Sequence, residues 1–170
     1  MSTEHYQETD FNSLVSNKTN KKFPSLEIKV KTLSHFKGQL PDYKTEGSSG
    51  FDIKACLTKD FNLKPGERGL IPTGLSFEVP VGFELQCRPR SGLALKKGLT
   101  VLNTPGTIDS DYRGEIKIIM FNTSKENITI KDQDRIAQLV LCPVFRAKFI
   151  KQDKLNESKR GGGGFGSTGF

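Results

Sequence analysis

Residues 82–88 read GFELQCR, and this stretch indicates the kind of fold that the chain adopts. Its apolar residues, Phe83, Leu85 and Cys87, alternate with polar ones. Successive side chains of an extended strand point to opposite faces, so the alternation places these three side chains on one face. The stretch therefore predicts a β-strand with one face toward a core and the other toward solvent.

The same alternation recurs along the chain. Further examples are LEIKVKTL (26–33), FDIKACL (51–57), GLSFEVP (74–80), GLTV (98–101), EIKIIMF (115–121) and NITI (127–130). Glycine, proline and asparagine separate these stretches at short intervals, as they do in all-β barrels and sandwiches. Only GLALKKG (92–98) is typical of a short helix, whereas a doubly wound α/β fold needs several helices. The sequence therefore predicts an all-β barrel or sandwich with one short helix.

The length and composition suit a single domain, part of which lies outside its core. The chain has 170 residues, but only 34% of them are hydrophobic, so we expect part of it to lie outside the core or against other subunits. The 26 Lys and Arg residues exceed the 19 Asp and Glu residues, which gives a net charge of +7. This excess fits an anionic partner, although a solvated basic surface is its commoner origin.

Several function classes are disfavoured. Cys56, Cys87 and Cys142 are odd in number and lack paired spacing, so we expect reduced thiols in a cytoplasmic protein. With only His5 and His35, we do not expect a histidine metal site or a serine–histidine triad. We find no secretory signal pattern and no apolar run long enough to cross a bilayer, so no membrane partner is expected.

Three regions of different composition predict the domain organisation. Residues 1–24 are polar and show no sustained period, which predicts a disordered N-terminal extension. Residues 25–155 carry the alternating stretches and are expected to form the barrel domain. Residues 156–170 end in RGGGGFGSTGF and are expected to be a flexible glycine-rich segment.

Two interruptions of the alternation suit phosphate binding. The small residues of GSSGFD (47–52) let backbone approach a ligand closely, and Asp52 adds a carboxylate. RPRSGLA (88–94) brings arginine, serine and free backbone amides to the start of the predicted helix, a combination that binds anions. Each segment, taken alone, is also explained as a turn.

Two later interruptions carry acidic residues. In NTPGTIDSDYRGE (103–115), Asp109 and Asp111 lie two residues apart, a spacing that on an extended chain points both side chains the same way. Aspartates in turns more often cap the backbone than catalyse a reaction. DRIAQL (134–139) predicts the entry into a buried strand. Each signal is weak alone, but their order along the chain is unusual.

Together with the tail, these segments resemble the five motifs of the homotrimeric dUTPase family. The matches, from the first motif to the fifth, are GSSGFD, PRSGLA, GTIDSDYRGE, DRIAQL and RGGGGFGSTG, and the similarity runs from about Glu27 to Gly169. The chain departs from the pattern at Gln133, where the fourth motif usually has glycine, and residues 1–24 have no counterpart in the minimal family. The resemblance implies a distorted jelly-roll-like β-barrel in a homotrimer, with each active site assembled from all three chains.

The resemblance also implies an activity. The family hydrolyses dUTP to dUMP and pyrophosphate with Mg²⁺, which keeps uracil out of DNA and supplies dUMP for thymidylate synthesis; no stable nucleic-acid partner is expected. Asp109 corresponds to the carboxylate that orients and deprotonates the attacking water, and Asp52 to one that holds metal-bound waters. Arg90, Ser91 and Gly92 would bind the phosphates.

The remaining implied residues form the nucleotide pocket and its cover. A tight β-hairpin spanning residues 103–117 would present backbone groups and Asn103 to uracil, while Tyr112 would pack against the deoxyribose. The other implied substrate-binding residues of the barrel are Thr107, Ile108, Lys117 and Gln138, and those of the tail are Arg160, Phe165, Gly166, Ser167 and Thr168. The tail would close as a lid from another subunit, with its arginine on the terminal phosphate and its phenylalanine over the uracil ring.

Two other functions stay open at this point. The first is a dCTP deaminase, or a bifunctional enzyme, because the related dCTP deaminases share the barrel. The intact TIDSDYRGE segment and the complete tail favour dUTP hydrolysis instead. A non-catalytic module that binds nucleotide, nucleic acid or protein is the second. The presence of Asp109, Arg160 and Phe165 argues against such a degenerate site.

Overall fold

The computed structural model describes residues 25–164 and residue 167. Within them the chain forms eleven β-strands and one short helix. The strands are β1 (Lys29–Thr32), β2 (Gly50–Lys54), β3 (Phe61–Leu63), β4 (Arg68–Pro72), β5 (Leu75–Glu78), β6 (Phe83–Arg88), β7 (Leu99–Val101), β8 (Gly106–Ile108), β9 (Lys117–Asn122), β10 (Ile128–Ile130) and β11 (Arg135–Pro143), and the helix is α1 (Ser91–Lys97). No helix among these residues has the length and apolarity needed to cross a membrane.

The strands pair antiparallel in four sheets. The two larger sheets have the orders β2-β11-β6-β8 and β4-β9-β7, while β1 pairs with β5 and β10 with β3. The long strand β11 lies between β2 and β6, with Leu139 opposite both Phe51 and Cys87. Short antiparallel strands around one core confirm the predicted all-β, distorted jelly-roll-like barrel.

The alternating pattern correctly predicted which side chains are buried. In β6, Leu85 and Cys87 are buried while Arg88 is exposed. In β9, Ile118 and Met120 are buried, while Ile119 between them is only partly buried. Full burial of an aliphatic side chain contributes roughly 1.5–3 kcal/mol, so these inward-facing residues hold the sheets together.

Helix α1 forms where GLALKKG predicted it. Gly98 ends the helix in the left-handed region, at a φ of 63°, and its N–H donates to the Ala94 carbonyl at 3.1 Å. Glycine adopts this conformation without a Cβ clash. The helix contains no buried residue, and Ser91 and Gly92 lie exposed at its start.

Strands β3 and β4 were not predicted. Strand β3 has three residues, too few to show a period, and β4 contains Gly69 and Pro72, residue types that are depleted in strands. A Cβ at Gly69 would lie 2.4 Å from the ring of Phe61. The glycine is therefore needed for the tertiary contact between the two strands, which a one-dimensional pattern does not reveal.

The predicted tight β-hairpin over residues 103–117 does not form, although the strands on either side of the segment, β7 and β9, pair antiparallel. Strand β8 pairs with β6, whereas β9 pairs with β4 and β7, so the two strands belong to different sheets. The 103–117 segment instead leaves the three-stranded sheet after β7, adds β8 to the four-stranded sheet and returns to the three-stranded sheet at β9. This crossing leaves a concave surface between them.

Residues 144–155 follow β11 without forming a helix or strand. Their apolar side chains Val144, Phe145, Phe149, Ile150 and Leu155 are between 42% and 94% exposed. Such a concentration of exposed apolar side chains is unusual on a monomer.

Candidate active site

A cavity of about 390 Å³ lies against the 103–117 segment. Its wall contains six of the predicted site residues: Asn103, Thr107, Ile108, Asp109, Tyr112 and Lys117. The crossing of the segment between the two sheets thus brings these residues together around one space. Their individual roles toward a nucleotide stay predictions.

Gly106 lies in the cavity wall at a place where a side chain would not fit easily. Gly106 lies opposite Cys87 in the β6–β8 pair, and a Cβ on it would come within 3.0 Å of the Asn103 amide nitrogen. Glycine therefore lets the Asn103 amide approach the backbone of β8. Burial raises the pKa of the Cys87 thiol to about 12, so Cys87 contributes a neutral, unreactive surface. Nothing in the sequence singled out Cys87 beyond its place in an alternating strand.

A tight turn sets the direction of Asp109. The Tyr112 N–H donates to the Asp109 carbonyl at 3.2 Å, so residues 109–112 are not extended. Asp109 lines the cavity, whereas Asp111 is absent from its wall. The expectation that the two carboxylates point the same way is therefore wrong, since it assumed an extended chain. Asp109 is also exposed, which leaves it accessible to water.

The ring of Tyr112 is held back over its own segment. Its hydroxyl donates to the Glu115 carbonyl oxygen at 3.1 Å. A Cβ on Gly114 would lie 2.4 Å from the same hydroxyl oxygen, so only glycine fits beneath the ring. The ring is thereby fixed as part of the cavity wall.

The Glu115 side chain, which the sequence did not single out, is 12% exposed and bonded on both oxygens. Oε1 accepts the Gly74 N–H at 2.9 Å and lies 3.0 Å from His35 Nε2, while Oε2 lies 3.5 Å from Lys117 Nζ. Burial raises the pKa of Glu115, but the Gly74 hydrogen bond, His35 and Lys117 outweigh it, so the pKa lies below its ordinary value. His35 and Gly74 are far from Glu115 in the sequence, which is why a motif could not reveal these two contacts.

Replacing Glu115 with glutamine is expected to remove an acid-sensitive part of the stability. Because the pKa of Glu115 is below 4.5 in the folded protein, its ionised form stabilises the fold fully above that pH. The contribution is lost as the pH falls through the folded pKa. Thermal melts should show the Tm of the wild type exceeding that of Glu115→Gln by roughly 3 °C near neutrality, with the gap closing at acid pH. A gap that stayed constant down to the acid limit would contradict this.

A second cluster joins residues of the first, second and fourth motifs. Asp52 Oδ1 lies 2.9 Å from Arg90 Nε, and Asp52 Oδ2 lies 2.9 Å from Arg135 Nη1. Arg90 Nη1 also donates to the Arg135 carbonyl at 2.9 Å, and Gln138 Nε2 donates to the Pro89 carbonyl at 2.9 Å. The predicted residues Asp52, Arg90 and Gln138 are thus brought together beside the exposed start of α1. Arg135 also belongs to this cluster, although the sequence did not predict it as a site residue.

Within one chain, Asp109 and Arg90 lie near opposite ends of β6. Ile108 pairs with Leu85, so Asp109 follows on toward the start of β6, whereas Arg90 lies beyond its end. About six residues of extended chain separate the position of Asp109 along β6 from Arg90, which corresponds to roughly 20 Å. The Arg90 guanidinium also turns away from β8, toward Asp52 on β2. A single chain therefore does not bring Arg90 close to Asp109.

Comparisons with known proteins agree with this arrangement of motifs. The family model described as dUTPase matches residues 37–169. The chain belongs to the dUTPase family. Deoxyuridine 5'-triphosphate nucleotidohydrolase from Bdellovibrio bacteriovorus is 60% identical over 144 residues, which cover 85% of this chain and 97% of that protein. The corresponding protein of Nautilia profundicola is 53% identical over 144 residues, with 85% and 99% covered.

Solved dUTPase structures have the same fold. The dUTPase of Staphylococcus bacteriophage 80alpha with dUpNHpp superposes with a TM-score of 0.76 at 25% identity, covering 86% of this chain and 100% of the phage chain. The barrel is thus matched along the whole of the phage protein.

The departure of this dUTPase from the fourth motif has a local explanation. Gln133 has a φ of 64°, a left-handed conformation that glycine adopts more readily. Two hydrogen bonds hold it: its N–H donates to Ala55 at 2.9 Å, and its Nε2 donates to the Lys37 carbonyl at 3.0 Å. The turn before β11 therefore keeps its shape with glutamine in place of glycine.

The described part of the dUTPase tail bonds to itself. Arg160 Nε donates to the Gly163 carbonyl at 2.7 Å, and the Ser167 N–H donates to Gly164 at 3.0 Å. Neither Arg160 nor Ser167 lines the cavity. The structure therefore does not bring these two predicted residues to the site of their own chain. Phe165, Gly166 and Thr168 lie outside the described residues.

Proposed function

We propose that this chain hydrolyses dUTP to dUMP and pyrophosphate, which keeps uracil out of DNA and supplies dUMP for thymidylate synthesis. The observation that carries the proposal is the complete third motif folded around one cavity, with Asp109 accessible on its wall. The family membership and the names of the bacterial relatives support the same activity. Three free cysteines suit a reducing compartment, so we extend the proposal to a cytoplasmic location.

Asp109 would act as the general base. It would accept a proton from a water molecule whose oxygen then bonds to the α-phosphorus of dUTP, while the bond from that phosphorus to the pyrophosphate oxygen breaks. Hydrolysis of this kind depends on positioning and charge stabilisation more than on covalent catalysis. A carboxylate that is exposed to water and fixed by a hydrogen-bonded turn meets this need.

The cavity would select uracil and deoxyribose. Backbone groups of Thr107 and Ile108, with the Asn103 amide, would pair with the uracil edge. Cytosine would leave such buried groups unpaired, at a cost of about 1–3 kcal/mol for each lost partner. A close wall would exclude the methyl group of thymine. The fixed ring of Tyr112 would leave no room for a 2′-hydroxyl.

The second cluster would bind the phosphates. Arg90 uses two of its nitrogens within the cluster, and a guanidinium carries five N–H donors, so others can face an anion. Ser91 and the Gly92 amide lie exposed beside it at the start of α1. Gln138 would support this loop through its hydrogen bond to the Pro89 carbonyl.

Magnesium would enter as the Mg²⁺ complex of the nucleotide and offset the charge of its phosphates. Residues 25–164 contain no group of three or more His, Cys, Asp or Glu side chains placed to hold a metal. Magnesium readily keeps its waters and binds substrate phosphates with few protein ligands, so this chain fits that mode. Each oxygen of Asp52 already receives an arginine but has a further lone pair, which would accept a hydrogen bond from a metal-bound water.

The site would be shared among three chains of a homotrimer. Arg90 of the second cluster and Asp109 lie roughly 20 Å apart along one chain, which is farther than one triphosphate reaches. A second chain would therefore supply one of them. The exposed apolar side chains of residues 144–155 would be covered in such an assembly. The tail of the third chain, residues 156–170, would close as the lid over the barrel domain of residues 25–155. The disordered extension predicted for residues 1–24 lies outside the described residues.

A pyrophosphate-release assay tests the proposed activity. The purified protein is expected to release pyrophosphate from dUTP at least ~100-fold faster than from dCTP, dTTP or UTP, because each competitor leaves a polar group unpaired or overlaps the wall. Activity should fall when EDTA removes Mg²⁺ and return when it is restored. Ammonia release from dCTP would instead favour a deaminase, and tight binding without turnover would favour a non-catalytic module.

A further inference from the structure

An open groove runs along α1 and begins at the second cluster. Its first part lies between the helix and strand β10, with Arg90, Lys97 and Arg135 in its wall. Its second part continues past the end of the helix, along the loop before β10. Lys97, Ile128 and Thr129 line both parts, so the two parts adjoin. The groove therefore leads from the end of α1 to the two arginines of the second cluster.

Three lysines give this groove its unpaired positive charge. Lys96 and Lys97 lie in the last turn of α1 and Lys125 lies in the loop before β10, and all three are exposed and line the second part. Within the described part of the chain, none of them forms an ion pair with a carboxylate. Both arginines of the second cluster, in contrast, pair with Asp52. The lysines thus carry the charge that no neighbour neutralises.

Two carboxylates in the groove offset only part of the charge. Asp134 lines the first part, where its Oδ2 accepts the Lys131 N–H at 2.8 Å, and Glu126 lines the second part. Together with Asp52 they are outnumbered by the three lysines and two arginines. The groove therefore has a positive potential, which attracts the negatively charged Mg²⁺ complex of a nucleoside triphosphate.

The lysines lie near enough to act on a nucleotide that approaches the second cluster. Arg90, Leu93 and Lys97 follow one another at intervals of three and four residues, which places them along one face of the helix, and all three line the groove. A helix of seven residues spans about 10 Å. The Debye length is about 8 Å at physiological ionic strength and about 30 Å at 0.01 M. The lysines therefore act on the nucleotide most strongly in dilute salt.

We propose that Lys96, Lys97 and Lys125 form an electrostatic guide that accelerates the association of the nucleotide with the second cluster. This inference rests on the proposed function, since it takes dUTP as the ligand. The lysines lie beyond the cluster, so they would attract the approaching nucleotide without bonding the phosphates held at Arg90. Exposed charges of this kind raise the association rate constant and leave the dissociation rate constant nearly unchanged.

Stopped-flow association of a non-hydrolysable dUTP analogue, with Mg²⁺, tests the guide. Replacing the three lysines together with glutamine is expected to lower the association rate constant about 5-fold at about 0.01 M salt. The dissociation rate constant should change less than about 2-fold. The difference between variant and wild type should disappear near about 0.5 M salt, where the Debye length is only about 4 Å.

Two matched controls separate the position of the charge from the other properties of lysine. Replacing the same three lysines with arginine keeps the charge and should leave the association rate constant within about 1.5-fold of the wild type. Removing three charges elsewhere, by changing Lys31, Lys59 and Lys148 to glutamine, should lower it less than about 2-fold, because these exposed lysines line neither the groove nor the cavity. Equal losses in the two glutamine variants would overturn the guide.

The opposing explanation is that the lysines at the end of α1 serve only the helix dipole. A lower Tm with an unchanged association rate constant would show that structural role and overturn the inference. If the triple glutamine variant fails to fold, Lys125→Gln serves instead, since Lys125 lies outside the helix. Its association rate constant should fall about 1.5-fold in dilute salt, and no fall would equally overturn the inference. A wild type that does not bind the analogue would refute the proposed function itself, whereas failure of the guide leaves wild-type binding intact.

Discussion

Replacing Asp109 with asparagine is expected to lower kcat for dUTP at least ~100-fold while leaving the affinity for a non-hydrolysable analogue nearly unchanged. Asparagine has the same shape as aspartate but cannot accept the proton of the attacking water. The turn that holds the residue uses its backbone carbonyl, which the substitution retains. Single-turnover hydrolysis and calorimetric titration with the analogue measure the two quantities separately.

Asp111→Asn is the matched control for this experiment. Asp111 lies two residues away on the same turn, is exposed, and does not line the cavity. Its substitution should leave kcat within about 3-fold of the wild type, as surface changes away from a site usually do. Near-normal turnover by Asp109→Asn, or equal losses in the two variants, would remove Asp109 from the role of base.

The strands and the core could be predicted because burial leaves a period of two in the sequence. Ile53 and Leu85 show this well, since each lies between two polar residues in the sequence and each is fully buried. Strand β4 escaped prediction because Gly69 is required by the ring of Phe61 from another strand. Information of that kind depends on a tertiary contact, so no local pattern carries it.

The site residues were found through motifs, but their geometry was not. The motif containing Asp109 and Tyr112 predicted which residues share a cavity, yet it suggested a hairpin where the chain crosses between two sheets. Glu115 was missed because its partners, His35 and Gly74, are distant in sequence. Residue order shows which groups are present, whereas hydrogen bonds across the fold decide where they point.

Removing the tail by truncation after Lys159 is expected to lower kcat/KM for dUTP at least ~100-fold and to leave the Tm within a few degrees, because the lid would act on the transition state and not on the fold. The described tail residues bond to one another, so their loss uncovers little of the barrel. Deleting Phe170 alone is the control and should leave activity unchanged. Wild-type turnover by the truncated protein would exclude a lid.

Mixing the truncated chain with Asp109→Asn tests whether sites are shared. Each protein alone lacks one essential part, so a site built within one chain stays inactive in any mixture. A site that takes its carboxylate from one chain and its lid from another becomes complete when the first is truncated and the second carries asparagine, which holds for about one of the three sites in each mixed trimer. Co-expression with two different tags, followed by tandem purification, ensures that the assayed trimers are mixed. Since Arg90 and Asp109 lie at opposite ends of β6 in one chain, we expect activity to return, and mixed trimers without activity would contradict a shared site.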